Sequence, residues 1–224
     1  MQKIQNPVVI SNYIDKSSID EIFCFNIIPY IQLIQFRAGE FILYEGGTSE
    51  YLYYLIDGRA KLYLTHKNGK VSIINFIESP CFIGEIELIG AQSESNGVQA
   101  LTDCCCLAIP LNNCKDKLLN DIKFLKYLCI FLSKKAIYNS SNYTKNLSYP
   151  LENRLASFIL LTSNNSLYTE KHTEISEFLG VSYRHLLYVL ADFVKRGILK
   201  KEDCGYRIID LNSLNELAKE MHDC

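Results

Sequence analysis

The chain has 224 residues, 48% of them hydrophobic and 21% charged, with a formal net charge of −2. That size and balance fit one large or two small globular domains with a full apolar core, and they exclude a protein that coats nucleic acid through bulk positive charge. The opening MQKIQNPVVISNYIDKSS lacks a sustained apolar core, and runs such as 155-LASFILL-161 fall far short of the roughly 18–20 residues of a membrane helix, so a cytoplasmic protein with no membrane partner is expected.

From about residue 30 to 110, short apolar or alternating runs are divided by turn signals: IQLIQF, FILYEGG, YLYYLI, AKLYLT, VSIINFI, CFIGEIELIGAQ and VQALTDCCCLAI, ending at Pro110. Strands of about six residues at this spacing predict an all-β sandwich or barrel. Asn68-Gly69 is its clearest hairpin turn, because both residues tolerate positive φ. The nine cysteines are odd in number, irregularly spaced and without a Cys-x-x-Cys pair, which fits reduced thiols rather than a disulfide scaffold or a zinc ribbon.

From about 115 the period changes to that of a helix. Leu118, Ile122, Leu125, Leu128 and Leu132 form one apolar stripe that runs on to Ala136 and Ile137 before the polar 138-YNSSNYTKNLSY-149. Such a seam packs either against a copy of itself, through Leu125, Leu128 and Leu132, or against the β domain. The break at 148-SYP-150 is a natural boundary, since proline disfavours helix before it. Beyond it, ENRLASFILLTSN is amphipathic and 163-SNNS-166 breaks the pattern.

Residues 172 to 199, HTEISEFLGVSYRHLLYVLADFVKRGIL, carry the most specific signal. A short helix with Ile175 and Leu179 ends at Gly180, Val181 plugs the turn, and Ser182 caps a second helix whose Leu186, Val189, Leu190 and Phe193 face inward. That is a helix-turn-helix, with 199-LKKEDCGYRII-209 as a β-hairpin wing, and the bland alternative is a helical hairpin used only for packing. Tyr183, Arg184, Leu187 and Tyr188 point outward from the second helix. Arg184 suits a guanine O6/N7 contact, while Ser182, Lys171 and His172 are candidates for phosphate.

Taken together, a β-roll with GEIELI, a long helix and this helix-turn-helix resemble the cyclic-AMP receptor/FNR family of transcription regulators. The likeness is closest to its YeiL-type branch through PCFIGEIELI, 146-NLSYPLENRLASFILL-161, 170-EKHT-173 and 180-GVSYRHLLYVLA-191. It implies an α+β chain with a sensor β-roll over 1–117, a dimerisation helix and hinge over 118–149, and a winged helix-turn-helix over 150–224. It also implies a homodimer on a partly palindromic operator, with RNA polymerase as a partner and an effector of unknown identity. In both well-known branches a Glu stands at Arg184 and an Arg at Tyr188, so the operator is expected to match neither branch.

In cyclic-nucleotide-binding members the Gly-Glu pair is followed about ten residues later by an Arg-Ser that holds the phosphate. Gly84, Glu85 and Ser95 are present, and Asn139 and Ser140 stand near the adenine positions, but 91-AQSESNGVQA-100 has no cation and Glu94 falls near the Arg. A degenerate pocket unresponsive to cyclic AMP is expected. The FNR branch carries an iron–sulfur cluster on an N-terminal cysteine group that this chain lacks, and its remaining ligand aligns with Leu107. No cofactor is therefore expected, with a cluster or redox switch on Cys104, Cys106 and Cys114 as the alternative. An enzyme is not expected. The β region has only His66, whereas His172, His185 and His222 fall in the C-terminal part, and no P-loop, nucleophile elbow or dinucleotide fingerprint occurs. The remaining alternative is a ligand- or partner-binding regulatory module with weak or no DNA binding.

Overall fold

The run 104-CCCLAIP-110 is buried at every position, and the architecture of the N-terminal part follows from covering both of its faces. A computed structural model describes residues 1–219; His222 and Cys224 lie outside them. The chain divides into two compact units, Met1–Ala136 and Ile137–Cys224.

In chain order the first unit contains β1 (Gln2–Ile4), α1 (Pro7–Ser17), two 3-10 turns, β2 (Gln32–Phe36), β3 (Phe41–Leu43), β4 (Tyr51–Asp57), β5 (Arg59–Thr65), β6 (Val71–Glu78) and β7 (Cys81–Ile83). It continues with α2 (Glu85–Leu88), β8 (Gly97–Ala100), β9 (Cys104–Pro110), α3 (Leu111–Leu119) and the start of α4 (Ile122–Ser148). Two antiparallel sheets result, ordered β1-β2-β9-β4-β7 and β3-β8-β5-β6. Along β9, Cys104, Cys106 and Ala108 join Phe36, Leu55, Ile83 and Val98 in one core. Cys105, Leu107 and Ile109 face a second core, closed by Ile14, Ile19, Ile27, Leu118, Phe124 and Leu128 from the helical segments. Strand alternation sends successive side chains to opposite faces, so a strand buried on both faces reads as one unbroken apolar run. Cysteine serves there as a small hydrophobe.

Four sequence expectations change in this unit. The first 30 residues, left without elements by the sequence, form the cover of the second core. The single helix expected from about 115 is two helices, because Asp121 starts a new one: its carboxylate accepts the Phe124 N–H at 3.0 Å and the Cys24 N–H at 2.6 Å. The run CFIGEIELIGAQ does not continue as strand either. Gly84 takes φ +91° and turns the chain into α2; a Cβ there would lie 2.9 Å from the Tyr51 carbonyl oxygen. In the β5–β6 hairpin only Gly69, not Asn68, uses a positive φ.

The second unit holds the rest of α4, α5 (Leu151–Thr162), β10 (Leu167–Tyr168), α6 (His172–Phe178), α7 (Tyr183–Lys195), β11 (Leu199–Glu202), β12 (Gly205–Ile208) and α8 (Leu211–Lys219). Its sheet is ordered β10-β12-β11, and β10 is a third strand that the sequence did not reveal. The apolar faces of α5, α7 and α8 supply the core: Leu155, Ile159, Leu186, Leu190, Phe193 and Leu214 are fully buried. Arg154 of α5 fixes the ends of neighbouring elements. Its guanidinium donates to the Leu179 carbonyl at 2.7 Å, to Asn146 Oδ1 at 3.2 Å and to the Tyr149 carbonyl at 3.1 Å.

Candidate nucleic-acid interface and effector pocket

The turn between α6 and α7 is built as the residue types require. Gly180 adopts φ +64°, the Val181 N–H returns to the Ser176 carbonyl at 3.0 Å, and Ser182 Oγ accepts the His185 N–H at 3.2 Å as the N-cap of α7. With Leu186, Val189, Leu190 and Phe193 buried, helical geometry leaves Tyr183, Arg184 and Tyr188 outside. Tyr188 is 73% exposed, the most open of these side chains with a large apolar surface. Leu187 is half-buried, so it offers less of its surface than its neighbours.

Lys171 is exposed at the N-cap of α6. His172, expected at a phosphate, is instead half-buried, with its ring 6.3 Å from Tyr168 and 5.7 Å from Tyr206. Burial first, and the Lys201 ammonium second, push its pKa down. The neutral ring is favoured, and a neutral ring brings no charge to a phosphate. The hairpin of β11 and β12 pairs Leu199 with Ile208 and Glu202 with Gly205. It presents Lys200 and Lys201, both exposed, which the sequence reading passed over because it treated the wing as a shape. The adjacent cations 200-KK-201 after the buried Leu199 were the available signal.

In the β-roll, Glu85 is only 2% exposed, and Lys135 Nζ of α4 lies 2.6 Å from its Oε1. The carboxylate that would meet a ribose is already neutralised from within the unit. Around it, Leu43, Leu62, Ile83, Gln92 and Val98 enclose a cavity of about 60 Å³, well below the roughly 300 Å³ of a small-molecule site. Ser95 Oγ is buried with no hydrogen-bond partner, and Glu94 is exposed. Asn139 and Ser140 lie beyond Ala136, in the second unit, and the α4 residue that reaches Glu85 is Lys135. Its lysine sits in a helix stripe otherwise read for apolar spacing, so the sequence reading missed it.

The three residues of the apolar stripe are not equally covered. Leu128 is 2% exposed in the second β-roll core, and Leu125 and Leu132 pack against that core. The helix lies on the β domain through them. Ile130, Ile137 and Leu147 are the exposed apolar residues of α4 at heptad-compatible spacing, with Ile137 70% exposed.

The candidate metal ligands are not brought together. Cys104 and Cys106 belong to one core, Cys105 and Cys114 to the other. Burial pushes Cys104 up to about 11 and Cys106 well above the ordinary thiol value, opposing the thiolate that iron needs. Among the described residues no group of three His, Cys, Asp or Glu could hold a metal ion. These residues do not fit an iron–sulfur cluster. Among the described residues no helix is long and apolar enough to cross a membrane.

Residues 33–121 match the family model described as cyclic nucleotide-binding domain, and residues 153–217 match that described as Crp-like helix-turn-helix domain. The regulatory protein YeiL of Escherichia coli O157:H7 is 48% identical over 206 residues, covering 92% of this chain and 94% of YeiL. Among solved structures, one of the CRP/FNR family from Eubacterium rectale superposes with a TM-score of 0.78 at 16% identity, over 93% of this chain and 99% of that one. A CRP/FNR-family transcriptional regulator from Thermus thermophilus gives 0.69 at 23%, over 84% and 98%. At such identities the structures establish the fold alone; the relation itself rests on sequence shared along almost the whole of both chains with YeiL. The chain belongs to the CRP/FNR family of transcription regulators.

Proposed function

We propose that this chain is a homodimeric, sequence-specific operator-binding regulator that does not respond to cyclic AMP. The observation that carries the reading is α7: Ser182 caps it, a buried apolar face holds it, and Arg184 stands free on its exposed first turn. A guanidinium there donates two hydrogen bonds to a guanine edge, with Tyr183 and Tyr188 against the sugar-phosphate wall and Ser182, Lys171, Lys200 and Lys201 toward phosphates. The sensor, dimer and DNA segments are assigned to 1–117, 118–149 and 150–224. The seam between copies is assigned to Leu125 and Leu132 of α4, which stay half-buried where Leu128 is already covered. The reading places the protein in the cytoplasm, with RNA polymerase as its further partner and no cofactor.

Two features support cyclic-AMP independence: the Glu85–Lys135 pair satisfies the group a ribose would need, and the cavity of about 60 Å³ cannot admit a nucleotide. The acidic balance of residues 151–224, 9 Lys/Arg against 11 Asp/Glu, favours the second reading of a regulatory module with weak DNA binding.

One experiment separates the two. Operators are first selected from random duplex DNA with the full chain, and Arg184→Ala is then compared with the parent on the selected sequence and on single-base variants. The expected result is loss of about 1–3 kcal/mol of discrimination at one symmetric guanine position with other positions retained. Unchanged discrimination, or failure to select any sequence, would count against operator reading.

A further inference from the structure

We propose that a groove on the first unit, between the end of α1 and the first turns of α4, binds an anionic amphiphile, an aryl or acyl carboxylate. The groove is an open depression of about 450 Å³, in the volume range of roughly 300–1,000 Å³ typical of small-molecule sites. Its apolar surface comes from Ile22, Tyr54, Tyr127 and Ile130, and Lys123 and Lys126 line it from α4. These lysines are three residues apart and so share one helix face. Neither has a carboxylate within ion-pair distance among the described residues, while Glu21 is the one acidic residue in the lining.

The back of the groove is an aromatic cluster: Tyr54 packs on Phe82 with ring centroids 4.7 Å apart. Phe82 in turn meets Phe124, Tyr127 and Phe131 at 5.9–6.0 Å. A second depression of about 330 Å³ adjoins through Ser17 and Tyr54 and adds Lys16, with Asp57 as its carboxylate. Unpaired ammonium groups beside an apolar aromatic wall complement one ligand chemistry: a negative head on a hydrophobic body. A neutral apolar molecule would leave the lysines unused, and a small inorganic anion would leave the wall wet. The inference concerns the first unit alone and does not depend on the operator reading.

The test uses the full chain and decanoate as probe, with decanol as the uncharged control, followed by isothermal titration calorimetry in the absence of DNA. Lys123→Glu/Lys126→Glu is compared with the parent after circular dichroism shows that both are folded; both lysines are exposed, so folding is expected to survive. Saturable decanoate binding, weakened about ten-fold or more in the double variant while decanol is little affected, is the expected result. No saturable heat, equal decanoate affinity in the two proteins, or decanol binding as tightly as decanoate would each overturn it. Two further outcomes would also overturn it: binding only to anionic vesicles, which makes the groove a lipid surface, and binding lost as the chain dimerises, which gives Ile130 and its neighbours to a second copy. A Tyr127→Ala variant that loses decanoate while the lysines remain separates a real pocket from charge attraction alone.

Discussion

Replacing Lys135 by methionine removes the cation that partners a carboxylate only 2% exposed. At 2.6 Å, the attraction is about 6 kcal/mol for an effective dielectric of about 20, and the desolvation of Glu85 offsets much of it. Loss of one partner then leaves the desolvation uncompensated, which costs about 3–5 kcal/mol in buried pairs. The Lys135 side chain keeps 21% of its surface exposed, so water reaches the gap and the low end, about 3 kcal/mol, is expected. The chain has no Trp, so urea and thermal unfolding are followed by far-UV circular dichroism, and the first unit's transition is the one that moves. Its midpoint temperature should fall on the order of 10 °C. In Glu85→Met/Lys135→Met, no charge remains to be buried and stability should return to within about 1 kcal/mol of the parent. A single variant within about 1 kcal/mol of the parent would refute the argument that the pair closes this pocket. A double variant as damaged as the single one would assign the loss to packing instead.

Asp121 is held below the ordinary carboxylate range: burial raises it, but the N–H groups of Phe124 and Cys24 outweigh that. The stability it adds is therefore complete above its unfolded value of about 4 and is lost as pH falls through the lower folded value; Asp121→Asn should flatten the acid limb of a urea-midpoint profile. Lys200→Ala and Lys201→Ala should each reduce the slope of log K against log salt by about 1 without changing base preference, read by fluorescence anisotropy at several salt concentrations. Brief iodoacetamide treatment with peptide mass spectrometry should label the exposed Cys24 and Cys204 well before the buried Cys104, Cys106 and Cys114. Equal labelling would mean that the β-roll core opens easily.

Periodicity made the second unit readable. Every residue that the sequence turned inward on α7, Leu186, Val189, Leu190 and Phe193, is buried there, and the Gly180-Val181-Ser182 turn follows from the chemistry of those three residues. The strands of the β-roll were readable for the same reason, and so was the split of Cys104 and Cys106 from Cys105. The cover formed by the first 30 residues was not, because α1 has one fully buried side chain, Ile14, and its other contacts are made by half-buried residues without a clean period. The stripe at Leu125, Leu128 and Leu132 was correctly read as apolar and could not name its partner: a helix face that lies on a sheet and one that lies on a twin have the same spacing. Long-range pairs such as Glu85 with Lys135, fifty residues apart, leave no local pattern at all.

The charge of the DNA-binding part shows why a residue count misleads about an interface. Several of its carboxylates are committed elsewhere. Glu202 takes two hydrogen bonds from Arg207, Glu152 and Asp192 share Arg196, Asp210 holds Ser213 at the start of α8, and Glu174 is buried. The cations are spent differently. Among the described residues Lys171, Arg184, Lys195, Lys200 and Lys201 are exposed and none has a carboxylate within ion-pair distance. A phosphate approaching these side chains meets charge that the fold has left free, at distances where a Debye length of about 8 Å screens the more remote acids. In the proposed homodimer, two copies would double that set on one duplex. On the proposed operator reading, a net charge of the wrong sign would weaken non-specific attraction more than operator binding, and the ratio of the two affinities would gain from it.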